Sequence, residues 1–401
     1  MLTPPSPDPE RLTAEQAHAA VTTFAALFAT VGLGYYGLSF FYDFMVRDFG
    51  WSRAQVTSGN AVGKVLVGPL FGFFAGWLID RFGPRRLMLV GLLCGATALV
   101  GLSLSSQPIL FYGFFVLNAL GYVCGGPLPC QVLLSRRFDR RRGIAMGFAY
   151  IGIGVGGALA PRAAYLLTQR LGWQGALMAL GVIFLAISWP LAFFLKDEGT
   201  ARFRQAALPS PAVGPVLRRP AFYLLALGSM ASIGALGGTI LNLKLYLALD
   251  RSLDQGRIAG LLSLVLTFSI AGRLLMGWLA DRLPKKYVMV TIYLLVATAV
   301  PLLLLPSVPL FVFAAIFGIG LGGDYMIIPL MAAELFGVRV MGRVMGIVLT
   351  ADGVAEAVVP WLVGHLRDVT GSYQAGFAVI VALASLGTVA VALLPRHGDE
   401  P

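Results

Sequence analysis

Short charged or Pro/Gly/Ser-rich breaks cut this chain into apolar runs of roughly twenty residues, the length an α-helix needs to cross a hydrocarbon core about 30 Å thick. The breaks leave runs at 18–46, 54–79, 86–105, 108–135, 142–168 and 173–195, then 221–248, 257–280, 287–305, 309–336, 343–366 and 373–394. Between the sixth and the seventh lies a polar stretch, Lys196 to Arg219. Only 12% of the residues are charged and the mean hydropathy is +0.81. A soluble surface normally needs about a quarter of residues charged, so the expectation is an all-α membrane protein of twelve spanning helices in two six-helix bundles.

The net charge of +11 does not point to nucleic acid, because the basic residues form clusters between apolar runs instead of a single stripe. Arg81/Arg85/Arg86, Arg136 to Arg142, Arg202/Arg204/Arg218/Arg219, Arg282/Lys285/Lys286 and Arg339/Arg343 fall on alternate connections. Lys and Arg collect in cytoplasmic loops, which places both termini in the cytoplasm. The expected division is a tail at 1–16, bundles at 17–195 and 220–395, a linker at 196–219 and a tail at 396–401. Cys94, Cys124 and Cys130 sit inside apolar runs as small hydrophobes, and His18, His365 and His397 are scattered, so no metal or cofactor is implied. The sequence contains no nucleophile elbow, P-loop or HExxH, which argues against an enzyme and against ATP-driven transport.

One device occurs twice. Gly76-Trp77-Leu78-Ile79-Asp80-Arg81, with Arg85 and Arg86 beyond it, returns as Gly277-Trp278-Leu279-Ala280-Asp281-Arg282, with Lys285 and Lys286 beyond it, and 281 − 80 = 201 is half of 401 residues. The glycine permits a close helix crossing. The aspartate sits where it can pair with arginine or cap a facing helix in one conformation and release it in another. In these residues the chain resembles the major facilitator superfamily over essentially its whole length. A narrower resemblance, to monocarboxylate transporters and oxalate/formate antiporters, rests on Phe49-Gly50-Trp51-Ser52-Arg53, Arg137-Phe138 through Arg142-Gly143-Ile144-Ala145-Met146-Gly147, and Gly172-Trp173. It rests also on Gly272-Arg273, Phe336-Gly337 and Gly342 to Gly346. The resemblance implies that Arg273 is the main carboxylate-binding residue. Two positions depart from it: Asp352 stands near where oxalate exchangers carry a lysine, and Ser269 where animal lactate carriers carry an aspartate.

Arg273 also stands out on physical grounds. It lies 281 − 273 = 8 positions before Asp281, about 12 Å along a helix, which is close to the bilayer midplane. A charge at that depth costs on the order of 3 kcal/mol and is retained for a function or paired. Its planar fork suits a carboxylate, and it has no equivalent in the first half. Asp324, Asp352 and Glu356 share that depth and are the candidate proton carriers or fixed partners of Arg273 or Lys64, with Asp324 or Asp352 expected to carry a coupled proton; Asp352 and Glu356, one turn apart, are expected to face the same way. Asn118, Tyr122, Tyr325, Tyr36 and Lys64 complete the candidate substrate site, with Tyr35 and Asn60 nearby. Asp43 with Arg47 reads as an interfacial ion pair, and Lys244 and Arg162 as snorkelling residues. Gly147, Gly152, Gly154, Gly156 and Gly157 read as helix-packing positions.

The expected function is secondary transport of a small organic anion, a lactate- or pyruvate-like monocarboxylate, coupled to protons, by a monomer in a bacterial inner membrane. The competing expectations are proton-driven efflux of a hydrophobic or cationic compound and a non-transporting membrane sensor. The duplicated gate is expected to involve Gly76, Asp80, Arg81, Arg85, Arg86, Gly277, Asp281 and Arg282.

Overall fold

The computed structural model describes residues 13–138, 142–196, 214–305, 307–337 and 340–395, without the side chains of 68–80, 135, 142–144 and 341–343. The expected tails and most of the expected linker therefore lie outside the described residues. Every regular element within them is helical: α1 (Ala14–Leu27, continuing as π-helix over Phe28–Gly37), α2 (Tyr42–Phe49), α3 (Arg53–Leu104), α4 (Pro108–Gly125), α5 (Pro127–Arg137) and α6 (Arg142–Phe193). They are followed by α7 (Gly214–Leu217), α8 (Pro220–Leu245, then π-helix over Tyr246–Asp250), α9 (Gln255–Arg282), α10 (Lys285–Leu302), α11 (Leu310–Phe336), α12 (Met341–Thr370) and α13 (Gln374–Ala392). Among the described residues, ten helices are long and apolar enough to cross a membrane.

The two longest helices, α3 and α6 at 52 residues each, are pairs of rods that meet at Gly83 and Gly172. Those glycines have φ of +78° and +71°, a region closed to most side chains, so the chain turns there without a loop. Both breaks fall where the hydropathy pattern separates successive runs.

Two expected helices are interrupted instead of continuous. The run expected at 18–46 stops after Gly37, where the Ser39 hydroxyl takes the Tyr36 carbonyl at 2.8 Å and the Phe40 and Phe41 amides bond three residues back. The run expected at 108–135 breaks at Gly126, because Pro127 has no N–H to donate and disfavours helical geometry in the residue before it.

The halves of the chain meet through polar contacts at the face where α2 ends and α3 begins. Asp250, at the end of α8, accepts Arg53 of α3 at 3.0 Å and Arg367 of α12 at 2.6 Å. Asp368 of α12 accepts the Ala54 and Arg53 amides at 2.9 and 3.3 Å, so a second-half carboxylate caps the exposed donors of a first-half helix. At the opposite face, Arg137–Glu15 (2.8 Å) stays within the first half and Lys285–Glu334 (2.6 Å) within the second.

Two expectations are corrected at the joined face. Asp43 does not pair with Arg47. It pairs at 3.0 Å with Lys244 of α8, and both side chains are fully buried. Lys244 therefore does not snorkel: its ammonium sits 4.2 Å from the Phe40 ring centroid and 5.1 Å from that of Phe44. Gln255 bonds Asp43 at 2.8 Å, while Arg47 is drawn to the Ala248 carbonyl at 3.1 Å. The break after Gly37 gives α2 its own direction, which turns Asp43 into the other half. Arg162 is exposed beside the Tyr165 ring, as a snorkelling residue would be.

Breaking a buried pair leaves a charge without compensation, a loss of about 3–5 kcal/mol. Asp43→Asn and Lys244→Met are each expected to lower the thermal unfolding temperature of the purified protein, and the double variant is expected to lower it by less than the sum. Additive losses would show that the two groups do not act as a pair.

Candidate functional site

Arg273 reaches the space between the halves because α9 and α11 cross almost backbone to backbone. A Cβ on Gly272 would lie 2.7 Å from the Ile319 Cα, and one on Gly322 would lie 2.9 Å from the Arg273 amide nitrogen and press into the Ser269 carbonyl. The half-buried Arg273 side chain extends across to α6, where its Nη1 donates to the Tyr150 carbonyl at 3.3 Å. A Cβ on Gly154 would press first into the Ile270 side chain and stand 3.1 Å from that Nη1, so the glycine makes room for both. Among the described residues, no carboxylate lies within 4.0 Å of Arg273. Tyr36 and Tyr325 lie within electrostatic reach of it.

The neighbouring cation is compensated. Lys64 of α3 forms an ion pair with Glu356 of α12 and lies 5.2 Å from the Tyr35 ring centroid. The Tyr35 hydroxyl donates to Glu356 Oε1 at 3.2 Å, and the Tyr325 hydroxyl donates to the same oxygen at 3.1 Å. Glu356 thus draws together groups from both halves. Tyr35 and Tyr36 pack edge to face with centroids 5.2 Å apart, which sets the Glu356 cluster directly beside the surroundings of Arg273.

Asp324 and Asp352 do not partner Arg273 or Lys64. Ser229 of α8 donates to Asp352 (2.7 and 2.8 Å to its two oxygens), and Ser232, one turn on, donates to Asp324 at 2.8 Å. Both carboxyl groups are buried inside the second half. Asp352 and Glu356 therefore bind different partners although one turn separates them and both touch α8: the first carboxylate takes a hydroxyl of α8, the second takes groups of α1, α3 and α11. Asn118 of α4 donates to the Gly34 carbonyl at 3.2 Å, holding the π-helical stretch of α1. Tyr122 accepts the Gly126 amide on its backbone carbonyl at 2.9 Å and lies within electrostatic reach of Tyr36 and Glu356. The Asn60 amide nitrogen, one turn before Lys64, is buried without a hydrogen-bond partner.

Four of the residues that build this region were not singled out from the sequence: Tyr150, Ser229, Ser232 and Gln131, which bonds the Tyr150 hydroxyl. The serines had one readable signal, a spacing of three in the apolar first part of α8. The Tyr150 contribution is a backbone carbonyl and has none. Gly154 was read only as packing.

Of the expected gate residues, Gly76 and Asp80 fall in the part of α3 whose side chains lie outside the described residues. Arg85 donates to the Phe193 carbonyl at 2.6 Å, Arg81 lies against Phe82, and Arg86 is exposed. In the second copy Arg282 stacks on Trp278 at 4.0 Å, Asp281 is exposed, and a Cβ on Gly277 would meet Met326 at 3.3 Å.

A many-helix membrane protein whose halves close on an uncompensated arginine is built as a carrier. The chain belongs to the Major Facilitator Superfamily, whose family model matches residues 23–272 and 225–401. It is similar to "Monocarboxylate transporter 13" of Rattus norvegicus, 30% identical over 80% of this chain and 75% of that protein. It is similar also to "Monocarboxylate transporter 11" of Homo sapiens, 28% identical over 92% of this chain and 79% of the relative. A Bacillus subtilis "Uncharacterized MFS-type transporter YcxA" is 26% identical over 94% of both. Among solved structures, the nucleoside transporter NupG shares the fold with a TM-score of 0.77 at 11% identity, covering 95% of this chain and 99% of that one. A bacterial homolog of the human lysosomal transporter Spinster, inward-facing and unoccupied, does so with a TM-score of 0.75 at 14% identity, covering 95% and 96%. These relatives are transporters, and the chain is not an enzyme.

The seating of Arg273 on Gly154 gives a direct test. Gly154→Val is expected to displace the guanidinium and to weaken ligand binding at this site by about tenfold or more, as loss of a charge-assisted contact does. Gly147→Val, whose Cβ would meet nothing within 4 Å, is the control. Equal effects of the two would remove the role assigned to Gly154.

Proposed function

We propose that this protein is a secondary transporter of a small organic monoanion, a lactate- or pyruvate-like monocarboxylate, moved together with a proton. The observation that carries the reading is a charge balance. Arg273 and Lys64 supply two positive charges, Glu356 returns one, and the remaining positive charge sits on the arginine that has no carboxylate within 4.0 Å among the described residues. A monocarboxylate restores neutrality there. Its two oxygens match the guanidinium fork, Tyr36 and Tyr325 can fix a hydroxyl or keto oxygen, and Leu266 and Ile270 offer an apolar wall to the aliphatic end.

The proton is assigned first to Asp324 or Asp352, which have no basic partner within 4.0 Å among the described residues; Glu356, already matched by Lys64, is the alternative behind them. Transport would proceed by alternating access of two six-helix bundles, 17–195 and 220–395, in twelve crossings joined by the 196–219 linker. The joined face, with Asp43–Lys244 and Asp250–Arg53, would open as the face carrying Gly76, Asp80, Arg81, Arg85, Arg86, Gly277, Asp281 and Arg282 closes. The termini would be cytoplasmic, the membrane a bacterial inner membrane and the working unit a monomer. Efflux of a cation bound by the three acids is the weaker reading, because Glu356 is already engaged by Lys64 and two tyrosines.

Calorimetric binding of L-lactate to the purified protein tests the anion site. Arg273→Lys is expected to weaken it by about tenfold or more, since an ammonium cannot form the bidentate pair; undiminished binding would reject the site. Coupling is read separately in proteoliposomes: Asp324→Asn or Asp352→Asn is expected to keep lactate exchange but to lose accumulation driven by a pH gradient. If Glu356→Gln has that effect instead, the proton belongs there, and if none does, symport is rejected.

A further inference from the structure

Lys64, Tyr35 and Tyr325 converge on the carboxylate of Glu356 with an ammonium and two hydroxyls, which is the donor set of a carboxylate-binding site. Glu356 shares one oxygen between the two tyrosine hydroxyls and gives the other to Lys64. The donors come from α1, α3 and α11 and the acceptor from α12, so the site is assembled only where the halves meet. The stem of Glu356 reaches it by lying over Gly237 of α8, where a Cβ would stand 3.2 Å from the Glu356 Cγ. Tyr325 does not itself require a carboxylate, since it is 42% exposed and its hydroxyl could bond water; the charge that Glu356 matches is that of Lys64.

We propose that this cradle is a second carboxylate subsite, which the protein's own Glu356 occupies in place of a ligand. The inference rests on the anion reading of Arg273 and extends it. Adjacent residues link the two places: Tyr36 is near Arg273 and Tyr35 holds Glu356, and Tyr325 touches both environments. A short dicarboxylate laid between them would put one acid group on Arg273 and the other on Lys64, Tyr35 and Tyr325. Glu356 prevents this by filling the cradle and by adding like-charge repulsion. A monocarboxylate needs only the Arg273 side. Glu356 therefore sets selectivity for one acid group over two, acting as a tethered competitor.

The test is the ratio of dicarboxylate to monocarboxylate affinity, measured by calorimetry on the full-length purified protein with L-lactate, malonate and succinate as probes. In Glu356→Ala the cradle is emptied, and the ratio for malonate or succinate over lactate is expected to rise by at least about tenfold relative to the parent protein. Adding Lys64→Met to Glu356→Ala should abolish the gain. Should Glu356→Ala prove unstable, Glu356→Gln removes the repulsion while still accepting from both tyrosines, and a smaller rise in the ratio is expected. An unchanged ratio in every Glu356 variant that still binds lactate overturns the subsite. So does an equal gain for lactate and for the dicarboxylates, which would mean that Glu356 acts only through its general field. Lactate failing to bind the parent protein overturns the anion reading itself, a result separate from both.

Discussion

The arrangement of this protein turns on one energetic fact: a guanidinium cannot be left bare in a bilayer. Arg273 is kept where a charge is costly, and among the described residues it donates to a peptide carbonyl, not to an acid. Much of the surrounding structure serves that placement. Gly272 and Gly322 bring α9 and α11 into backbone contact, and Gly154 clears the opposite wall. An arginine bonded to a carbonyl across the interface keeps most of its donors for an anion, whereas one paired to an aspartate would already have spent them.

Charge is treated in three different ways in this chain, and the differences define the working parts. At the joined face, Lys244 and Asp43 neutralise each other in full burial, with an aromatic wall behind the ammonium. Such a pair favours the state in which the halves touch, since separating them exposes two charges that had been matched. In the middle, Lys64 and Glu356 are matched but only half-buried, so that pair can open at lower cost. Inside the second half, Asp324 and Asp352 are held by serine hydroxyls with no basic partner within 4.0 Å among the described residues, and one Asp324 oxygen has no hydrogen-bond partner. The three environments correspond to a latch, an exchangeable contact and an isolated acid pair. In the alternating-access cycle proposed above, the first would break and the second would change partners.

Much of the fold was legible in the sequence because a bilayer accepts so few solutions. Apolar run length gave an all-helical chain with helices long enough to span a bilayer, whereas part of the first copy of the Gly-Trp-Leu-x-Asp-Arg device lies outside the described residues. The breaks at Gly83 and Gly172 fell where the pattern of runs placed them. What escaped was the partner of each charge. Asp43 and Arg47 share a helix and a spacing that suggests an ion pair, but the turn after Gly37 redirects α2 and hands Asp43 to Lys244. Asp352 and Glu356 lie one turn apart and both lie against α8, but the carboxylate of Glu356 reaches past Gly237 to groups from the first half while that of Asp352 stops at Ser229. Local spacing says which residues share a face; only the crossing of distant helices says what that face meets. For the same reason the Tyr150 carbonyl, a backbone acceptor from another half, left no trace in the residue pattern.

The central claim is that Arg273 is held open for a carboxylate. A structure determined with bound L-lactate tests it most directly. The account predicts the lactate carboxylate on the two terminal nitrogens of Arg273, with the Tyr150 carbonyl contact lengthened or lost and Glu356 still on Lys64. Lactate resolved elsewhere between the halves, with Arg273 still donating to the Tyr150 carbonyl, would contradict it.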